Sequence, residues 1–178
     1  MNLITSKDNP LIKTAYALLT DSKKRKKLGQ TVIEGTHLLD AYLKAGKNPI
    51  TTIVSESGMA NAEIQSLIAK LNKNPIIISD TLYKNIRTLG ESLPIMAMIE
   101  IPSLTLNQTI DTDCLVINGI QDTGNLGTLL RTASATGFET VICTTGTAHA
   151  YNPKTLRAGM GANFSLHIYE NVGIDEIF

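Results

Sequence analysis

Residues 114–120, Cys-Leu-Val-Ile-Asn-Gly-Ile, form a nearly uninterrupted apolar run, followed at once by a glycine-punctuated turn and a helical pattern. A strand that is apolar on both faces has no side to offer to water, so it belongs inside a parallel sheet covered by crossover helices. The same alternation continues to the end of the chain. Asn125 to Thr136 reads as a helix stopped by Gly137, and Val141 to Thr144 as a strand. Pro153 to Met160 reads as a helix capped by Asn152, and Phe164 to Ile168 as a strand. A βαβαβ succession with connections of this length calls for one parallel sheet.

The first 102 residues alternate differently. Asn9 followed by Pro10 is an N-cap and first helical residue, with Leu11, Ala15 and Leu18 beside Ile12 and Leu19 on the apolar face. Lys23-Lys24-Arg25-Lys26-Lys27 is too charged to pack and is expected on a solvated turn before the strand Thr31–Glu34. Thr36 to Ala45 reads as a helix closed by Gly46, and Ile50 to Ser55 as a strand. Ile64, Leu67, Ile68 and Leu71 predict an amphipathic helix over 59–72. The strand Pro75–Ile78, a short helix capped by Asp80 and a strand from Ile95 to Ile101 complete a small α/β domain over 1–102. The polar stretch 103–113 is a linker, and 114–178 is the second domain.

Net charge is zero, yet 13 Lys and Arg face 9 Asp and Glu up to Pro102, against 3 and 7 beyond it. A positive first half is suited to a polyanion. Cys114 and Cys143 sit in apolar runs as small buried hydrophobes, and with His37, His149 and His167 scattered, no metal site is expected. The N-terminus lacks the apolar core of a signal peptide and no apolar stretch could span a bilayer, so a cytoplasmic protein with no membrane partner is expected. Ile174, Ile177 and Phe178 would begin the apolar face of another helix, which leads to the expectation that the chain ends inside its second domain.

The turn after the strand at 114–120 lies where α/β sheets place their sites. Gly124 and Gly127 relax the backbone there, Asn125 caps the following helix, and Leu126, Leu129, Leu130 and Ala133 face the sheet. Arg131 falls off that face, nearly two turns beyond Asn125 and about 9 Å along the axis. From the residues alone, Arg131 also suits a solvated helix charge, and the Gly-x-x-Gly an ordinary turn.

Asp122-Thr-Gly-Asn-Leu-Gly-Thr-Leu-Leu-Arg131-Thr-Ala-Ser-Ala-Thr-Gly137 resembles the first motif of the SpoU (TrmH-like) RNA ribose 2′-O-methyltransferases of the SPOUT superfamily. Asn152-Pro-Lys-Thr-Leu-Arg157-Ala-Gly-Met-Gly-Ala162 resembles the segment that follows it. Asn9-Pro10, the basic run and Val32-Ile-Glu34-Gly-Thr-His37 are similar to the family's substrate-binding domain. Thr123 stands where proline is usual.

The resemblance implies a small α/β RNA-binding domain followed by a partial parallel-sheet SPOUT domain of trefoil-knot type. The knot-forming segment would lie beyond Phe178, together with the Gly-Asn-Glu-Gly and Ser-Leu-Asn-Val motifs that build most of the cofactor pocket. It implies methyl transfer from S-adenosylmethionine to a ribose 2′-hydroxyl of rRNA or tRNA, by a homodimer in the complete protein, with these 178 residues inactive alone. Asn125 and Arg131 match the active-site asparagine and arginine, while Lys23, Lys24, Arg25, Lys26, Lys27 and Arg157 are candidate RNA contacts. The alternative is a catalytically silent RNA-binding module.

Overall fold

The computed structural model describes residues 3–90, 92–106 and 110–177. The chain divides into two compact units, Met1–Ile101 and Pro102–Phe178. Part of the stretch expected as a linker, 107–109, lies outside the described residues.

In the first unit, α1 (Pro10–Thr20) opens as expected, with Asn9 accepting from the Leu11 amide at 2.9 Å. Its partner α2 (Ser22–Leu28) replaces the expected basic turn, and Asp21 both ends α1 and caps α2. Lys and Arg are good helix formers, Asp21 satisfies the Lys23 and Lys24 amides, and Arg25, Lys26 and Lys27 in the last turn complement the helix dipole. Gly29, at φ 62, then turns the chain into β1 (Gln30–Glu34). The remaining elements are α3 (Thr36–Lys44), β2 (Thr51–Ser55), α4 (Ala62–Ile68), β3 (Ile76–Ile78), α5 (Asp80–Ile86) and β4 (Ile95–Glu100).

The helix expected over 59–72 is shorter, because Asn61 caps α4 and the preceding turn, Ser57–Ala60, is a separate 3₁₀ helix. Ser79, not Asp80, caps α5 through the Leu82 amide. Asp80 instead accepts from the Ser57 amide and hydroxyl at 3.1 and 2.6 Å.

The sheet runs β1-β4-β2-β3, with β4 antiparallel to both neighbours and β2 parallel to β3. Central β4 is buried from Ile95 to Ile99 and alternates between two apolar faces. Ile12, Ala15 and Leu18 of α1 and Leu82 and Ile86 of α5 share a core with Val32, Ile53, Met96 and Met98. The residue Ile4 adds a short parallel bridge to Ile78, covering the edge at β3.

The second unit is the expected alternation: β5 (Cys114–Ile117), α6 (Thr123–Ala135), β6 (Thr140–Thr144), α7 (Pro153–Ala158) and β7 (His167–Val172), in a parallel sheet of order β5-β6-β7. β7 lies later than the expected 164–168, because Ala162–Phe164 is a 3₁₀ turn. Leu126, Leu130 and Ala133 of α6 and Leu156 of α7 are buried, while Leu129, expected to face the sheet, is 37% exposed.

Gly127 is not a hinge. It lies inside α6 where that helix meets α7, and a Cβ there would come within 2.5 Å of the Ala158 Cβ and 2.6 Å of the Thr155 carbonyl. Only glycine admits this approach.

Candidate active site and nucleic-acid interface

The carboxyl ends of β5 and β6 are tied together. The Thr144 hydroxyl donates to Asn118 Oδ1 at 2.8 Å, and the Thr147 hydroxyl to the Ile117 carbonyl at 3.2 Å. The Gly119 amide donates to both threonine oxygens, and the Ala148 amide to the Ile120 carbonyl at 2.7 Å. These bonds fix where α6 begins. Asp122 is the N-cap, its carboxylate accepting from the Asn125 amide at 2.7 Å, so the expectation that Asn125 caps the helix is corrected. Asn125 occupies the first turn with its side chain exposed.

Arg131 is exposed on the same helix, and no hydrogen bond or ion pair to its guanidinium is present among the described residues. Asn125 and Arg131 are separated by about 240° of helical rotation and about 9 Å of rise. They can border one substrate only if it extends along α6. Arg157 is half-buried on α7 and has interactions of its own.

Asn163, which sequence reasoning missed, organises the loops around α7. It is fully buried, its amide donating to the Ala150 carbonyl at 2.7 Å, and its own carbonyl accepts from the Tyr151 hydroxyl at 3.2 Å. Gly159 gives it room, since a Cβ there would lie 2.5 Å from Asn163 Oδ1. Next to it, Met160 holds φ 52 and Gly161 φ 87, and Met160 is 45% exposed. A non-glycine residue in the left-handed region is strained, which is common beside functional sites. The only sequence signal for this corner is the Gly-Met-Gly-Ala-Asn run itself.

Cys143 is buried, and burial followed by the charge of Glu170 pushes its thiol up to about 12, so it is no nucleophile at neutral pH. Cys114 is half-buried.

In the first unit, Lys23, Lys24, Lys26 and Lys27 lie on α2, with Lys24 half-buried and the others exposed. None of the four makes an ion pair among the described residues. Arg25 does not belong with them. It is 7% exposed and its Nη1 donates to the Leu18 carbonyl at 2.8 Å, with Leu19 O at 3.4 Å. Burial lowers its pKa from the usual arginine value, opposed by the charge of Asp21. The expectation that Arg25 contacts RNA is therefore corrected: the end of α1 leaves carbonyls without helical partners, and this guanidinium supplies the donor. Glu34 is buried and accepts from the Thr88 amide at 2.8 Å and from the Thr88 hydroxyl. His37 is exposed on α3. No helix among the described residues is long and apolar enough to cross a membrane.

Comparison with known proteins matches both units. Residues 113–178 fit the SpoU rRNA Methylase family, and residues 9–97 the MRM3-like substrate binding domain. A protein of Synechocystis described as an uncharacterized tRNA/rRNA methyltransferase is 34% identical over 92% of this chain and 60% of its own length. The Bacillus subtilis 23S rRNA (guanosine(2553)-2′-O)-methyltransferase RlmP is 30% identical over 94% of this chain and 64% of its own. The chain thus spans somewhat less than two thirds of these two relatives. A crystal structure of an RNA 2′-O ribose methyltransferase superposes with a TM-score of 0.79 at 30% identity, over 99% of this chain and 67% of that one. The fold is shared as well with AviRb from Streptomyces viridochromogenes, solved with AdoMet, at a TM-score of 0.84 and 22% identity, over 95% of this chain and 65% of that one. The chain belongs to the SpoU rRNA methylase family.

Proposed function

We propose that the protein transfers a methyl group from S-adenosylmethionine to a ribose 2′-hydroxyl of rRNA or tRNA, as a cytoplasmic homodimer. The observation that carries this reading is the outward presentation of Asn125 and Arg131 on α6, the helix that leaves the carboxyl end of β5, inside the segment that matches the SpoU family. The relatives named above are all described as methyltransferases, and two of them as acting on the 2′-oxygen, which speaks against a catalytically silent RNA-binding module. The exposed Leu129 and Met160 support pairing of two copies, for which a two-fold arrangement is the commonest solution.

S-adenosylmethionine would supply the methyl group. The donors of Thr144, Thr147, Gly119 and Ala148 at the carboxyl edge are engaged within the loops and hold that edge in shape. What this chain contributes is handling of the nucleotide. Arginine offers N–H donors and no acceptor, so the role that suits Arg131 is to orient the nucleotide. Its planar fork suits a phosphate oxygen and a developing alkoxide together, holding the 2′-hydroxyl in place as its proton passes to solvent water. The lysines of α2 supply sequence-independent phosphate contacts, with Arg157 a further contact on α7.

The test is to incubate the full-length protein with methyl-labelled S-adenosylmethionine and rRNA or tRNA, then hydrolyse the RNA in alkali. A 2′-O-methyl group blocks cleavage of the adjacent phosphodiester, so the label is expected in alkali-resistant dinucleotides. Label in mononucleotides, or no label, contradicts the reading.

A further inference from the structure

The first unit contains a cavity of about 310 Å³ that the motifs did not point to, between the end of β2, the start of α5 and the segment before β4. Ser55 and Ser57 line it from β2 and the turn beyond, and Asp80, Tyr83, Lys84 and Arg87 from α5 and its C-cap. It thus lies at the carboxyl ends of two parallel strands, β2 and β3, where sheets of this kind receive ligands. Its volume is at the small end of the range for small-molecule sites, roughly 300–1,000 Å³.

Three observations describe what would fill it. Neither Lys84 nor Arg87 is in a direct ion pair among the described residues, so two cations border the cavity against the single carboxylate of Asp80. Asp80 faces them as an anion, because hydrogen bonds from Ser57 and Ser55 hold its carboxyl below the usual range. The third is a pair of orphan hydroxyls: Tyr83 is only 2% exposed, and neither its hydroxyl nor that of Ser92 has a hydrogen-bond partner among the described residues. Burial and the charge of Glu34 push the Tyr83 phenol far above its usual range, so it remains protonated and able to donate. Buried hydroxyls without partners are costly and call for one.

A purely anionic ligand is disfavoured by Asp80, and an apolar one by the two cations and the orphan hydroxyls. A ligand with an anionic end and an edge that carries both an N–H donor for Asp80 and an acceptor for the Tyr83 hydroxyl satisfies both, and a nucleotide has that chemistry. In a paired helix the base edges are engaged, so the nucleotide has to be unpaired. We propose that this cavity receives one unpaired nucleotide of the RNA substrate, with its phosphate on Lys84 and Arg87 and its base edge toward Asp80 and the Tyr83 hydroxyl. The proposal rests on the reading that RNA is the substrate. It adds a site that distinguishes looped from paired RNA, which the lysines of α2 cannot do, since phosphate contacts carry no such information.

Fluorescence anisotropy on the full chain tests it, with a fluorescein-labelled RNA hairpin carrying an unpaired loop and the blunt duplex of the same stem as probes. The hairpin is expected to bind more tightly than the duplex. Arg87→Gln and Lys84→Gln are each expected to weaken the hairpin by about tenfold, the usual effect of removing a charge-assisted hydrogen bond, while leaving the duplex unchanged. Lys84 is exposed, so its variant keeps the fold even if Arg87→Gln does not, and melting curves verify both. Equal affinity for the two probes, or unchanged hairpin affinity in both folded variants, overturns the nucleotide site while the RNA reading stands. Failure of both RNAs to bind overturns both.

Discussion

Arg25 on α2 and Arg131 on α6 are both helical arginines in segments that resemble RNA-methylating proteins, and they end in opposite conditions. Arg25 is folded under its helix and engaged by the carbonyls of Leu18 and Leu19. Arg131 stands in solvent with no partner among the described residues. The difference comes from what lies within reach. A single residue, Asp21, separates α1 from α2, so the orphan carbonyls of α1 face the first cation that turns back, whereas the carbonyls around Arg131 are already bonded inside a 13-residue helix. A charge is available for function where the backbone nearby has no use for it.

The comparison can be sharpened by substitution. The largest effect is expected at Arg131: in the full-length protein, Arg131→Ala lowers single-turnover methyl transfer by about 10³-fold, the scale of losing a preorganised donor to developing charge. Arg131→Lys restores little, because a point charge lacks the fork. Next comes the contact between α6 and α7. Gly127→Ala forces a methyl against Ala158 and Thr155 and is expected to cost roughly 1–3 kcal/mol in denaturant unfolding, with the helices pushed apart. An unchanged midpoint would mean that α6 and α7 are not held as closely as their backbones indicate. The smallest effect is on α2. Replacing Lys23, Lys24, Lys26 and Lys27 together by Ala is expected to flatten the dependence of RNA affinity on salt, by up to about 0.9 in slope for each phosphate no longer neutralised. An unaltered slope returns these lysines to a solubilising role.

Local signals were legible in the sequence and distant ones were not. Asn9-Pro10 marks the start of α1 because cap and first-turn residue act on their own backbone. The parallel pairing of β5, β6 and β7 follows from the apolar strands and the helical crossovers between them. The start of α6 was misplaced by a few residues because both Asp122 and Asn125 can cap, and only the exit of β5 decides between them. The fate of Arg25 was hidden because its acceptors lie on the helix before it, across the reversal at Asp21. Asn163 was invisible for the same kind of reason, since the Ala150 carbonyl it holds belongs to another loop. The cavity beside Tyr83 is assembled from β2, α5 and the segment before β4, and no spacing announces it.

The most direct measurement puts both arginines through the same two assays, thermal or denaturant stability and single-turnover methyl transfer by the full-length protein. Arg25→Ala is expected to lose about 1.5–3 kcal/mol of stability, the scale of a charge-assisted bond to buried carbonyls, while the folded protein transfers methyl at the unmodified rate. Arg131→Ala is expected to keep its stability and lose the transfer. An Arg131→Ala protein that unfolds early but transfers normally while folded would contradict the account, because Arg131 would then be a structural charge and α6 would not carry the chemistry.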